Sequence, residues 1–183
     1  MGAVTDEAAE AAVPRLSPPV PLSAEHDLSA FDCGEPALND WLRERALKNE
    51  SRFSRTYVVC EGNRVVAHVC ILAGSVARAD APGRVRRDAP DTIPVSVIGR
   101  LAVSLSHAGR GLGADLLADA LRRIAVASQS VGMAAVLVHA KDDRARAFYL
   151  RCAEFLEHPA DSRTLFLPIE TLVATFSQLP RGA

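Results

Sequence analysis

The 183-residue chain is 49% hydrophobic and 23% charged, with a formal net charge of −1, the balance of one soluble domain with a substantial core rather than of a disordered or fibrous chain. That charge gives no general attraction to nucleic acid or lipid, and no apolar run approaches the roughly 18 residues of a membrane span. Cys33, Cys60, Cys70 and Cys152 are scattered without Cys-x-x-Cys spacing and form no ligand pattern with the five histidines, which speaks against a zinc site and fits reduced thiols in a cytoplasmic protein.

Residues 1–24 are rich in Ala, Glu and Pro (Pro14, Pro18, Pro19, Pro21) and lack the basic start and apolar block of a secretory leader, so they are expected to form a flexible arm. Residues 25–179 are expected to form one domain, with 180–183 as a tail. Phe31-Asp32-Cys33-Gly34-Glu35-Pro36 reads as a turn into a helix that ends near Asn49 and lines one face with Leu38, Trp41, Leu42 and Ala46. Thr56–Cys60 and Arg64–Leu72, rich in Val, Ile and Tyr, predict a β-hairpin around Glu61-Gly62-Asn63. Buried in those runs, Cys60 and Cys70 act as small hydrophobes rather than nucleophiles.

Gly74–Pro94 lacks periodicity and predicts a long surface excursion with room for a short helix. Val95, Val97, Gly99, Leu101 and Val103 alternate as in a strand with one buried face. Leu112, Leu116, Leu117, Ala120, Leu121, Ile124 and Ala125 recur at helical spacing, with Gly132 as the stop. Ala134–Ala140 is a continuous apolar run, predicting a strand covered on both faces. A helix over Asp142–Cys152, a strand over Thr164–Leu167 and a short helix over Ile169–Phe176 complete the order, with no internal repeat.

Between the central strand and its helix stands His107-Ala108-Gly109-Arg110-Gly111-Leu112-Gly113-Ala114. Glycines at alternate positions let the backbone turn sharply and present its amides, with the helix N-terminus, to an anion. The natural guest is a pyrophosphate. The same residues fit Gly-x-Gly-x-x-Ala (Gly109, Gly111, Ala114), with Asp142 as the ribose-binding acid of a nucleotide-dependent oxidoreductase. Against that reading, a hairpin precedes the motif and too little chain follows it for a doubly wound domain.

All but two of the 21 basic residues, Lys48 and Lys141, are arginine, the side chain suited to bidentate phosphate contacts. The densest cluster is Arg78, Arg84, Arg86 and Arg87. Asp80, Asp88 and Asp91 lie among them, so a solvated loop is the alternative to an anion-binding rim.

The element order and the glycine loop resemble the GNAT superfamily of acyl-CoA-dependent N-acyltransferases, whose loop reads Gln/Arg-x-x-Gly-x-Gly/Ala. Aligned on Gly111 and Gly113, this chain departs from that pattern only at Ala108. From about His26 onward the chain is similar to the TacT kind of toxin in toxin–antitoxin modules. The likeness is carried by Phe31-Asp32-Cys33-Gly34, Trp41-Leu42, Thr56-Tyr57-Val58-Val59, Arg84 to Pro94, Gly99-Arg100-Leu101-Ala102-Val103, Ala147-Phe148-Tyr149 and Leu165-Phe166-Leu167-Pro168-Ile169. Ala153-Glu154-Phe155 stands where many relatives have Gly-Phe.

The resemblance implies a mixed α/β sheet and acetyl-CoA as co-substrate, without a metal. Leu101, Ala102 and Val103 would meet the pantetheine arm, and Gly109, Arg110, Gly111, Leu112, Gly113 and Ala114 the pyrophosphate. Tyr149 would be the general acid. It also implies an aminoacyl-tRNA acceptor on Arg78, Arg84, Arg86 and Arg87, with Arg43, Arg45, Arg52 and Arg55 extending the patch. A ribbon-helix-helix antitoxin and a homodimer are implied as well. Among possible bases, Glu61, His68, His107 and His139, no spacing marks one, and His68 and His139 read as satisfied core histidines. An α-amine titrates near 7.7–8.0 against about 10.4 for lysine, so it is already partly neutral in the cell and favours an aminoacyl acceptor. An acetyltransferase of a small amine or protein N-terminus and a non-catalytic CoA-binding protein remain the alternatives.

Overall fold

The computed structural model describes residues 15–177. In chain order it contains β1 (Val20–Pro21), α1 (Pro36–Trp41), which continues through π-helical Leu42–Ala46 into α2 (Leu47–Asn49), β2 (Arg55–Glu61) and β3 (Arg64–Ala77). Then follow α3 (Gly83–Arg86), β4 (Thr92–Val103), α4 (Leu112–Ala127), β5 (Ala135–His139), α5 (Asp143–Cys152), β6 (Leu156–His158), β7 (Asp161–Pro168) and α6 (Ile169–Ser177). The strands form one mixed sheet in the order β1-β2-β3-β4-β5-β7-β6. Every pairing is antiparallel except β4 with β5, whose parallel run needs the crossover that α4 supplies.

Each face of the sheet buries a different set of helices. On one, Val59, Ala67, Val69, Ile98, Val136 and Val138 pack against the apolar stripe of α4, Tyr149 of α5 and Leu172 of α6. On the other, Phe31, Trp41, Leu42 and Ala46 cover Val58, Cys70 and Ala102. Farther along that second face, Ala81 and Val85 cover Ile93, Val95, Leu137 and Phe166. Cys70, Leu72 and Val76 of β3 share one parity, so α1 and the arginine-bearing segment lie over the same side of the sheet.

Several expectations are corrected. Residues 1–14 of the expected arm lie outside the described residues, but from Leu16 onward the chain lines the sheet edge. Leu16 bridges Glu61, Val20 and Pro21 pair with Val58 and Tyr57, and Leu22 is buried. The excursion is shorter than Gly74–Pro94 because Gly74–Ala77 pair with Thr92–Val95. Gly74 and Pro94, the bounds of that expected excursion, both lie in strands, and a Cβ on Gly74 would stand 2.7 Å from Val97 Cγ2, so the glycine accommodates a cross-strand valine. Helix α4 ends at Ala127, before Gly132, and β6 is too short at three residues to leave a periodic signal.

The most consequential departure lies in β4. Cys70 pairs with Arg100 and Ile71 with Ile98, leaving Gly99 as the extra residue of a β-bulge. The alternation from Val95 to Val103 therefore does not mark one face. Val95 and Val97 pack on the arginine-segment side, whereas Leu101 and Val103 pack with α4 and Tyr149.

Candidate active site

Pairing between β4 and β5 runs from Val95↔Ala135 to Ile98↔Val138 and stops, while β4 continues to Val103. The sheet forks at the bulge, and the β5-side edge of Gly99–Val103 is left without a strand partner. Backbone donors and acceptors on such an edge are open to an extended ligand. Leu101 and Val103 are half-buried on the α4 side, and the Ala102 side chain is buried toward α1, so the backbone of Ala102, not its side chain, is what the fork offers.

The chain leaves β4 through Ser104–His107, which is tied down from several directions. Ser104 and Leu105 donate their amides to Val66 O and Asp32 O, both at 2.8 Å. Asp32 in turn accepts from Gly34 N at 2.9 Å and Asn39 Nδ2 at 2.8 Å, contacts that hold its carboxyl below the usual range. The Asp32 turn, read from sequence only as the start of a helix, is therefore also the platform under the glycine loop. His107 is buried, with Nδ1 2.8 Å from Ser106 Oγ and Nε2 3.5 Å from Glu61 Oε1. Glu61 is also paired with Arg64, and that contact first, with His107 second among its charged partners, keeps its carboxyl low. Two of the four candidate bases thus form a clamp on the loop.

Gly109 and Gly111 adopt φ of +75° and +81°, a region that L side chains disfavour. The left-handed turn delivers the chain into α4 with Gly111 as an N-cap that has no capping side chain. The amides of Leu112 and Gly113 have no intrahelical acceptor and stand at the positive end of a 16-residue helix. This cradle fits a diphosphate. Arg110 folds back, its Nη2 donating to Ser106 O at 3.1 Å, so it braces the loop and must swing away to reach a cofactor phosphate. Gly111→Ala is expected to raise Kd for coenzyme A about tenfold, in line with ~1–2 kcal/mol of left-handed strain. Gly113→Ala is the control, because its added Cβ would meet only ordinary contacts at 3.6–3.7 Å. Equal losses by calorimetry would show that the turn does not organise binding.

Tyr149 lies on α5, which Asp142 caps by accepting from Ala145 N at 2.7 Å. Its ring meets Phe148 and Phe155 edge-on at 5.2 and 5.8 Å. Burial, then the neighbouring Cys152, pushes the phenol up to about 12. Such a group keeps its proton at neutral pH, and it lies on the same face as α4.

The remaining candidate bases divide. His139 is exposed at the end of β5, one residue past the last pairing with β4, with Nδ1 3.1 Å from Thr164 Oγ1, so it is not a core histidine. His68 is in the core, fully buried between Trp41 and Phe31, but it is not satisfied, since neither ring nitrogen has a partner among the described residues. Desolvation and then the charge of Arg100 lower its pKa to about 3, so it is a neutral ring.

On the opposite side of the sheet, Arg78, Arg86 and Arg87 line an open cleft of about 650 Å³ with Ala79, Gly83 and Asp91. Arg84 is exposed nearby on α3 and is not among the lining residues. None of the four makes an ion pair with a described carboxylate, so the interleaved Asp80, Asp88 and Asp91 do not neutralise them by contact. Arg43 and Arg55, expected to extend the patch, donate to the carbonyls of Phe31 and of Glu50 and Ser54, and Arg52 lies over Phe53.

A mixed sheet forked between parallel strands, with an uncapped glycine turn on one side of the fork and a proton-bearing tyrosine nearby, defines an acyl-CoA-dependent acyltransferase. Residues 22–155 match the Acetyltransferase (GNAT) family, and the chain belongs to it, with acetyl-CoA as co-substrate. It is 48% identical over 152 residues to the tRNA-acetylating toxin of Mycobacterium tuberculosis (strain ATCC 25618 / H37Rv), covering 82% of this chain and 91% of the relative. Its fold matches AtaT complexed with acetyl-methionyl-tRNAfMet at a TM-score of 0.80 and 29% identity, over 88% of this chain and 99% of that one. A tyrosine-to-phenylalanine AtaT variant bound to the C-terminus of the antitoxin AtaR and acetyl-CoA matches at a TM-score of 0.76 and 28% identity, over 90% and 99% of the two chains. Among the described residues no helix is long and apolar enough to cross a membrane.

Proposed function

We propose that this acetyltransferase is a toxin that acetylates the α-amine of aminoacyl-tRNA and thereby removes it from translation. The observation that carries the reading is the division of labour between the faces of the sheet. The anion cradle and Tyr149 lie on one face and the arginines without a described carboxylate partner on the other, with the end of the β4–β5 pairing between them. A co-substrate held from the first face leaves the second for a polyanionic acceptor. The names of the similar proteins point to the same acceptor.

Acetyl-CoA supplies the activated acetyl group when bound. The chain's own tasks are to hold its diphosphate on the amides of Gly109–Gly113, the Ala114 amide being already engaged with Gly111 O at 3.0 Å, and to engage the pantetheine arm along the backbone of Leu101, Ala102 and Val103. Tyr149 donates a hydrogen bond at the sulfur as negative charge develops there. No strong base is needed for an α-amine that is already partly neutral, consistent with Glu61 and His107 serving as a clamp. By family likeness the partner is an antitoxin of ribbon-helix-helix type that silences a cytoplasmic homodimer.

Labelled acetyl-CoA is expected to transfer its acetyl group to charged tRNA and not to uncharged tRNA; absence of transfer under conditions where coenzyme A binds would refute the proposal. In Arg78→Ala/Arg86→Ala/Arg87→Ala, tRNA affinity is expected to fall, and the slope of log K against log salt to flatten by about 0.7–0.9 for each phosphate that is no longer neutralised. Acetyl-CoA binding should be unchanged. An unaltered salt slope would place the RNA elsewhere and favour a small-amine acceptor.

A further inference from the structure

Arg100 follows the Gly99 bulge and points away from Leu101 and Val103, toward α1. Its guanidinium carbon lies 4.4 Å from the centroid of the Trp41 ring. Trp41 stacks on buried His68 at 5.9 Å, and Phe31 meets that histidine edge-on at 5.3 Å. The half-buried cation therefore rests on an aromatic platform that fixes its plane. Among the described residues no carboxylate pairs with it. Lys141, just beyond β5, is by contrast already bound to Glu35 at 2.6 Å and lies 3.7 Å from Asp142.

A guanidinium partly withdrawn from water, pre-oriented and lacking a counter-ion favours an incoming planar or tetrahedral anion, which it binds by two parallel hydrogen bonds. Its place selects which anion. Arg100 stands two residues past Ile98, where β5 leaves β4, on the face that carries Arg78, Arg86 and Arg87. The Arg100 backbone thus starts from the fork itself, whereas Arg78, Arg86 and Arg87 line the cleft farther along that face. We infer that Arg100 is a positioning residue for the acceptor, binding the last phosphodiester of an aminoacylated RNA 3′ end so that the α-amine is set at the open edge of β4. The inference rests on the aminoacyl-tRNA reading and adds to it the contact that converts general RNA attraction into placement of the reacting nitrogen.

Puromycin and cytidylyl-puromycin carry a free α-amine and differ by one nucleotide and its phosphodiester, so comparing them in wild type and Arg100 variants separates this contact from those of the base and sugar. Wild-type protein is expected to show a KM about tenfold lower for cytidylyl-puromycin, the gain from one charge-assisted bidentate contact. Arg100→Met, whose apolar stem can still lie on Trp41, should erase that preference while leaving kcat with puromycin and Kd for acetyl-CoA unchanged. Arg100→Lys should restore part of it. With charged tRNA, the Met variant should raise KM about tenfold. Retention of the preference, or of the tRNA KM, in Arg100→Met overturns the inference. So does a parallel loss of acetyl-CoA affinity or of melting temperature, which would mark a structural role. Failure of the wild-type protein to acetylate charged tRNA at all defeats the underlying acceptor reading instead.

Discussion

Tyr149→Phe is expected to lower kcat for acetyl transfer about 10²–10³-fold, the usual worth of a positioned proton donor, and to leave Kd for acetyl-CoA unchanged. The ring sits 8% exposed between Phe148 and Phe155, so deleting only its hydroxyl preserves the packing of α5 against the sheet. Burial pushes the phenol up to about 12, which makes it a weak acid that stays protonated at neutral pH, available as a hydrogen-bond donor and not as a base. An ordinary thiol titrates near 8.5. Complete proton transfer from Tyr149 to the departing sulfur would therefore be uphill, and the role proposed for the group is a hydrogen bond to charge as it develops. The pH profile follows: activity should rise as the acceptor amine loses its proton, below the about 7.7–8.0 of an ordinary α-amine because the ester withdraws electrons, with no Tyr149-dependent fall until well above pH 10. An unchanged kcat in Tyr149→Phe, or a fall of the wild-type rate between pH 8 and 10 that this variant lacks, would remove Tyr149 from this role.

The second large effect concerns stability in acid. His68 is held neutral, its pKa lowered to about 3 from 6.5 by desolvation and then by Arg100. Below pH 6.5 the unfolded chain takes up a proton that the folded one refuses. The unfolded state then binds more protons, and folding stability is lost as pH falls from 6.5 toward 3. At ~1.4 kcal/mol per pH unit, this one ring removes about 3 kcal/mol by pH 4. His68→Leu should abolish that part of the slope. It should also raise stability at neutral pH by about 1–3 kcal/mol, since it removes a ring whose buried nitrogens have no partner. Urea unfolding at pH 7 and pH 4 checks both statements, and identical acid slopes for wild type and variant would contradict them. The tolerance of so unfavourable a ring is explained by its neighbours. The imidazole fills the space between Phe31 and Trp41 that supports the platform for Arg100.

Elements with a strong local signature were legible from sequence. The stripe of α4, the two-sided burial of β5 and the hairpin of β2 and β3 each follow from a period or composition that one segment carries by itself. The glycine loop was legible for the same reason, because left-handed φ is a local demand and only glycine meets it without strain. What escaped depends on distant partners. β6 and β1 are too short to show a period and exist because β7 and β2 offer them an edge. Gly74 and Pro94 bounded the expected excursion, and only their cross-strand neighbours place them in β3 and β4. Glu61 and His107 have the side chains of catalytic bases, and only their mutual approach and the pairing of Glu61 with Arg64 assign them to a clamp.

The order of amino acids alone establishes that a glycine-rich turn stands ahead of an amphipathic helix, and that the basic residues are almost all arginine. Backbone sterics and side-chain period are properties of neighbouring residues, so no folding was needed to read them. Which residues share a face was settled by the assembled sheet. The single residue inserted at Gly99 rotates β4 so that Leu101 and Val103 turn to the cradle while Arg100 turns to Trp41, and β5 parts from β4 at that point. A bulge shifts strand parity by one, an event that alternation within the strand cannot reveal because it is defined by the register of the partner.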